Sequence, residues 1–232
     1  MSLDVREGVG GLLWYAECKQ LAIEQVMSFR PPADREKMRM YHSLYLTSLL
    51  SLIELSVEMF GNQVEDAWRE ALEGAGGQTG ENNLCYVREL RNAAVHRGAD
   101  ITAAGTVILG QTCAVSPGQA FHRLGKKGPF TAFAPLLRDV FAICEEAVGP
   151  VVLDAAESTL ASLEQSDPGE LASQALKAVE SSVHIPEWAR RMAIEQMHVV
   201  PFEELRGFQP RKLRDLLSLG APHGLAISIR QS

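Results

Sequence analysis

The chain has 232 residues, 46% of them hydrophobic and 22% charged, with a formal net charge of −7 at neutral pH. Such a composition belongs to a globular protein long enough to bury a core without staples, and the sequence shows no internal repeat or low-complexity segment. The acidic balance disfavours non-specific nucleic-acid binding, so any contact with RNA must come from a local basic patch or involve a small part of the substrate.

The opening "MSLDVREGVGG" has no basic stretch leading into an apolar one, so no signal peptide is expected and the protein is placed in the cytoplasm. Leu12 to Phe29 reads as a first helix, ended by Arg30-Pro31-Pro32. Asp34 is set to cap a second helix that runs to Phe60, with Lys37 where a capping box would carry Glu or Gln. Around its axis Leu46, Leu49, Leu50, Leu52, Ile53, Val57 and Phe60 cover more than half of the circumference. Thr47, Ser51, Glu54 and Glu58 share one narrow stripe, so this helix is expected at the centre of a bundle. Ser48, Ser51, Glu54, Ser56 and Glu58 interrupt its apolar run, which argues against a membrane span. A third helix from Gln63 to Glu73 breaks at "GAGGQTG", which has no P-loop lysine and follows a helix, and so reads as a loop.

Glu81 to Arg97 forms a fourth predicted helix, with Gly98 suited to end it. Residues 99–130 change texture, with β-branched residues, glycines and a proline, and are expected to form a β-hairpin or an irregular excursion. Within them "HRLGKKG", His122 to Gly128, is a basic turn that is either solvated or in contact with RNA. A fifth helix starts near Ala134-Pro135 and carries Leu136, Leu137, Val140, Phe141 and Ile143. Gly149-Pro150 either kinks or ends it before a helical continuation to about Leu163.

"SDPGE" is the clearest boundary, with Asp167 as N-cap, Pro168 at the first helical position and Glu170 at the third. Further helices begin at Pro186 and Pro210, the last stopped by Gly220. Its "PRKLRDLL" is amphipathic and reads as a surface helix or a partner-binding one. The predicted fold class is mostly α. It has a bundle of four to five helices over residues 10–165, a short β-hairpin or irregular insertion, and a helical C-terminal appendage over residues 167–232. Cys18, Cys85, Cys113 and Cys144 are far apart and read as reduced thiols. The six histidines show no metal-ligand spacing, so neither a metal nor a cofactor is expected.

The segment "LRNAAVHRG", Leu90 to Gly98, carries the chemistry. On a helical wheel Leu84, Val87, Leu90, Ala94 and Val95 form an apolar arc with Tyr86 at its edge. Arg88, Asn92 and His96 stack along the polar side, with Arg91 between the two. Histidine exchanges a proton near neutral pH, and arginine holds a phosphate and offsets its developing charge. RNA brings its own nucleophile, the 2′-OH, so these residues suffice for its cleavage. In this reading His96 is the acid or base, Arg91 holds the phosphate, Asn92 bonds the phosphate or fixes His96, and Arg88 and Arg97 add substrate contacts. A regular helix separates Arg91 from His96 by roughly 140° and about 7.5 Å of rise, so one subunit does not obviously aim both at one atom. Structural readings stand beside this one: a histidine is favoured at a helix C-terminus, and Arg91 has acidic neighbours to pair with.

Arg91-Asn92, three residues, then His96 resembles the RNxxxH form of the Rx4-6H signature of the HEPN superfamily. The order of a long apolar second helix, a short third, a motif helix and a closing helix is similar to the bundle of that superfamily. The resemblance implies a homodimer with the two motifs facing each other, and metal-independent RNA cleavage that leaves a 2′,3′-cyclic phosphate and a 5′-OH. It implies a toxin–antitoxin or phage-defence setting with an antitoxin or regulatory protein as partner. It covers residues 10–165 and leaves the tail unexplained. The tyrosine that some members carry two residues after the histidine is replaced here by Gly98, so the regulation that acts through it is not carried over. The alternative is a non-catalytic helical module that binds RNA, a nucleotide or a protein.

Overall fold

A computed structural model describes residues 5–122 and 128–226. The fold is mostly helical. Four helices lead: α1 (Val5–Ser28), α2 (Arg35–Phe60), α3 (Gln63–Ala71) and α4 (Gly80–His96). A β excursion follows with β1 (Gly105–Ile108), β2 (Gln111–Ala114), β3 (Gln119–Ala120) and β4 (Phe130–Thr131). The chain then returns to helix in α5 (Leu137–Gln165), α6 (Pro168–Ser181), α7 (Glu187–Gln196), α8 (Phe202–Leu205) and α9 (Phe208–Ser218).

Local chemistry accounts for the helix starts. The Asp34 carboxylate accepts from the Lys37 N–H at 3.1 Å, and the Asp167 carboxylate accepts from the Gly169 N–H at 3.1 Å. Thr79 does the same for Asn82 at 3.2 Å and so opens α4 one residue earlier than the pattern suggested. α5 runs unbroken through Pro150, so the Gly149-Pro150 pair does not end it. The missing N–H there is outweighed by packing, because Val148, Val152, Ala156 and Leu160 are all buried.

α2 lies at the centre, with α1 along its length and α3, α4 and α5 around it. Its Leu46, Leu49, Leu50, Leu52 and Ile53 are buried within this one chain. By length and composition α2 is also apolar enough to cross a membrane, but here it is a core helix that carries buried His42, Ser48 and Ser56. α9 closes the bundle against α1 and α5, and its Leu213 and Leu217 join the same core. A Cβ on Gly149 would come within 2.1 Å of the Leu217 carbonyl oxygen, so the α9 backbone touches α5 where no side chain intervenes. Arg214 on the outer face of α9 pairs with Glu157 at 3.1 Å and Glu164 at 2.6 Å, and Lys212 pairs with Glu17. The amphipathic "PRKLRDLL" therefore spends its apolar face inside the chain. α6 and α7 pack on each other and bury no residue.

The excursion after α4 contains a true hairpin. β1 pairs antiparallel with β2 around Leu109-Gly110, whose φ angles of 50° and 74° make a two-residue mirror-image turn. β3 pairs with β4. Most of the basic turn His122 to Gly128 lies outside the described residues.

Several charges are buried with the core. The Lys19 ammonium on α1 meets the Glu145 carboxylate on α5, each side chain 3% exposed, and the Tyr45 hydroxyl of α2 donates to the same carboxylate at 2.9 Å. Arg138 is buried at the start of α5 and donates to the Leu225 carbonyl at 2.6 Å, which ties the C-terminal segment to the excursion through Gln111. His42 packs on the Phe141 ring at 5.5 Å and donates through Nδ1 to the Met38 carbonyl at 2.7 Å.

Burial pushes His42 down from its ordinary 6.5 to about 4, with the nearby Arg138 adding to the fall and the Met38 carbonyl and Asp100 opposing it. Between those two values the unfolded chain binds a proton that the folded chain refuses. Stability is therefore lost as pH falls from 6.5 towards 4, by up to about 3 kcal/mol. Urea unfolding across this window checks it: wild type should weaken more steeply than His42→Leu, and parallel losses would rule the effect out.

Candidate functional site

α4 buries Leu84, Tyr86, Val87, Leu90 and Ala94 and leaves its other side for Arg88, Arg91, Asn92 and His96. Val95, expected on the apolar arc, is exposed; on the wheel it falls between Arg91 and Arg88, at the rim. The helix ends in a widened turn. The Arg97 N–H donates five residues back to the Asn92 carbonyl at 3.2 Å, and the Ala99 N–H reaches the Ala93 carbonyl at 2.9 Å. Gly98 makes the reversal with φ of 66°.

Each arginine of the motif helix has a carboxylate partner. Arg91 donates through Nη2 to Glu54 at 2.7 Å, while its buried Nε has no partner among the described residues. Glu54 comes from the polar stripe of α2 and is half exposed. Arg88 forms a two-point pair with Glu65 of α3, with Nη1 at 3.2 Å. That hydrogen-bonded guanidinium holds the Glu65 carboxyl below its ordinary range. Glu89, buried within α4, accepts from Arg97 at 3.0 Å and from Asn92 at 3.2 Å. His96 is exposed, and its ring makes no hydrogen bond or ion pair among the described residues. The structure thus gathers Asn92 and Arg97 on Glu89, turns Arg91 towards α2 and Arg88 towards α3, and leaves His96 open to solvent.

Two concavities lie near the motif, one against α4 and one beside its partner Glu54. At its C-terminal end lies a cleft of about 420 Å³, between Leu90, Ala93 and Arg97 on one side and Ile101, Gln119 and Phe121 on the other. On the far side of Glu54, a groove of about 450 Å³ runs between α1 and α2, where Gly8 and Gly11 open the floor beside Trp14 and Leu55. Trp14 is 62% exposed there. No three His, Cys, Asp or Glu side chains among the described residues converge as a metal site would need. The four cysteines form no disulfide; Cys113 and Cys144 are buried, Cys18 and Cys85 half-buried. Burial, and then the neighbouring Glu145, push the Cys144 thiol up, which keeps it protonated.

Glu54, Glu65 and Glu89 were not singled out from the sequence as partners of the motif. Only Glu89 left a local signal, since it precedes Asn92 by three residues on one helix. Glu54 and Glu65 come from other helices, and nothing in the linear order pairs them with arginines more than twenty residues away. No family model, curated protein or solved structure matches the chain.

Proposed function

We propose that the chain is a metal-independent endoribonuclease of HEPN type, in which His96 exchanges the proton of the 2′-OH or of the leaving oxygen and Arg91 holds the phosphate. One observation carries this reading most. An exposed histidine with an unengaged ring sits at the end of a helix whose preceding turn carries a partly exposed Arg91 with donors beyond the one Glu54 takes. A guanidinium has five N–H donors, and Glu54 takes one of them. The Arg91–Glu54 pair is partly solvated and therefore weak, so a phosphodiester oxygen can displace or share it. Asn92, held by Glu89, is placed to bond the phosphate, and Arg88 and Arg97 give up part of their pairing to the strand on either side. Purified chain incubated with RNA in excess chelator, with His96→Ala beside it, is the direct test.

The proposal includes a homodimer. Because α2 spends its apolar circumference inside one chain, the support for a dimer is the outer surface: Trp14, Leu21, Met40 and Val95 are all exposed on the helices around Glu54 and Arg91. A two-fold contact there sets the two motifs opposite each other and pools their arginines round one phosphate. Light scattering is expected to give twice the chain mass, and Trp14→Glu to halve it. A wild-type monomer would remove this part of the proposal. We place the protein in the cytoplasm, in a toxin–antitoxin or phage-defence setting, with the antitoxin or regulatory partner unspecified.

The second reading is a non-catalytic helical module. It is favoured by the carboxylates that already engage Arg88, Arg91 and Arg97, an arrangement that also serves a purely structural helix end.

A further inference from the structure

The cleft at the C-terminal end of α4 lies beside His96, and of the residues that line it only Arg97 has a role above. Its volume of about 420 Å³ lies within the range of small-molecule sites and exceeds what a single planar ring needs. Leu90 and Ala93 of α4 and Ile101 after it give it apolar walls. Phe121, the residue after β3, lines it while 55% exposed, an aromatic face left uncovered beside a preformed cavity. The polar side chains of the lining, Arg97, Asp100, Gln119 and His122, lie around these apolar walls. A flat apolar body with hydrogen-bonding edges fits that distribution.

The location narrows the ligand further. The cleft faces the carbonyl end of α4, where the helix dipole disfavours an anion. Arg97 on its wall is paired with Glu89, and the Asp100 carboxylate is also in the lining, which disfavours a second anion there. A phosphate therefore belongs on the Arg91 side of His96, and the uncharged part of the same nucleotide, or of its neighbour, belongs here.

We propose that this cleft seats one unpaired nucleobase of a single-stranded RNA, stacked on Phe121 with its edge towards Gln119; this rests on the ribonuclease reading of His96 and Arg91. Stacking on an aromatic ring accepts every base, since each has a π face, and the Gln119 amide offers one donor group and one acceptor to a base edge. A base inside a duplex is already stacked and paired, so the site selects single strands.

The probe is a short fluorescein-labelled 2′-O-methyl oligoribonucleotide, which keeps the bases and phosphates but lacks the attacking hydroxyl. Fluorescence anisotropy is expected to show Phe121→Ala weakening its binding by about 5- to 100-fold. Phe121→Tyr should bind like wild type, and the same sequence as a duplex should compete poorly. In cleavage assays on unmodified RNA, Phe121→Ala should raise KM by a similar factor with kcat nearly unchanged. Phe121 is exposed, so its truncation costs little packing. If that variant nonetheless fails to fold, Ala99→Trp at the cleft rim fills the same space and is expected to block the probe.

The two readings fail separately. Cleavage that needs His96 but is indifferent to Phe121 in both KM and probe affinity overturns the base site and leaves the nuclease. Probe binding that depends on Phe121, with no cleavage of any RNA, removes the nuclease and keeps the base site. No binding of the probe at all overturns the base site and assigns the cleft's apolar walls to a protein side chain.

Discussion

Wild-type protein in excess EDTA will cleave single-stranded RNA to fragments ending in a 2′,3′-cyclic phosphate and a 5′-OH, and His96→Ala will lower the rate by about 10²–10⁴-fold. That factor is the usual worth of a positioned acid or base, and His96 is the exposed titratable group at the end of the motif helix. Arg91→Ala should lose about 10²–10³-fold, the scale of removing one donor from a developing oxyanion. Neither change should unfold the protein. His96 is solvent-exposed, and Arg91 gives up one partly solvated pair with Glu54. Circular dichroism of both variants separates catalysis from structure. A variant that unfolds was structural, two variants with full activity make the motif a coincidence, and activity that dies with chelator and returns with Mg²⁺ overturns the mechanism. RNA with 2′-O-methyl groups throughout should resist cleavage, because the nucleophile is then blocked.

The largest effect on stability is expected at the buried pair of Lys19 and Glu145. Both side chains are 3% exposed, and Tyr45 donates to the same carboxylate. Burial, together with the neighbouring Glu145, pushes the Tyr45 hydroxyl well above its ordinary range, so it remains a donor. Glu145→Ala leaves the Lys19 ammonium in the core with no counter-charge, which should cost about 3–5 kcal/mol. Replacing both partners by apolar residues of similar size, Lys19→Met with Glu145→Leu, should recover most of that loss, because the cost lies in the uncompensated charge and not in the absent pair. Urea unfolding of wild type, Lys19→Met, Glu145→Leu and the double variant closes the cycle, with Glu145→Ala measured beside it. Additive losses, or a Glu145→Ala variant less than about 1 kcal/mol weaker than wild type, would show that the pair is solvated on opening and contributes little.

These two expectations differ in what the sequence shows of them. Local rules determined the helix order. Asp34 and Asp167 cap where a short acceptor precedes an apolar-periodic run, Gly98 ends α4 because it takes a positive φ, and the density of leucines on α2 marks it as central. The polar edge of α4 was legible for the same reason, since i, i+4 spacing fixes which side chains share a face whatever they pack against. The mirror-image turn at Leu109-Gly110 was less legible: a leucine with φ of 50° is not a residue that advertises a turn.

The rest was decided by contacts between residues far apart in the chain. α5 continues through Pro150 because neighbouring helices hold it, and propensity alone leaves that open. α9 lies in the core because Gly149 lets its backbone reach α5, a fit that depends on one missing Cβ. Lys19 reads as an ordinary surface charge until Glu145, more than a hundred residues later, meets it in the interior. The sequence by itself set which residues α4 presents. Only the tertiary structure brought Glu54 and Glu65 to Arg91 and Arg88 and left His96 open, because electrostatic pairing acts through space and the helical repeat carries no record of what stands across from it.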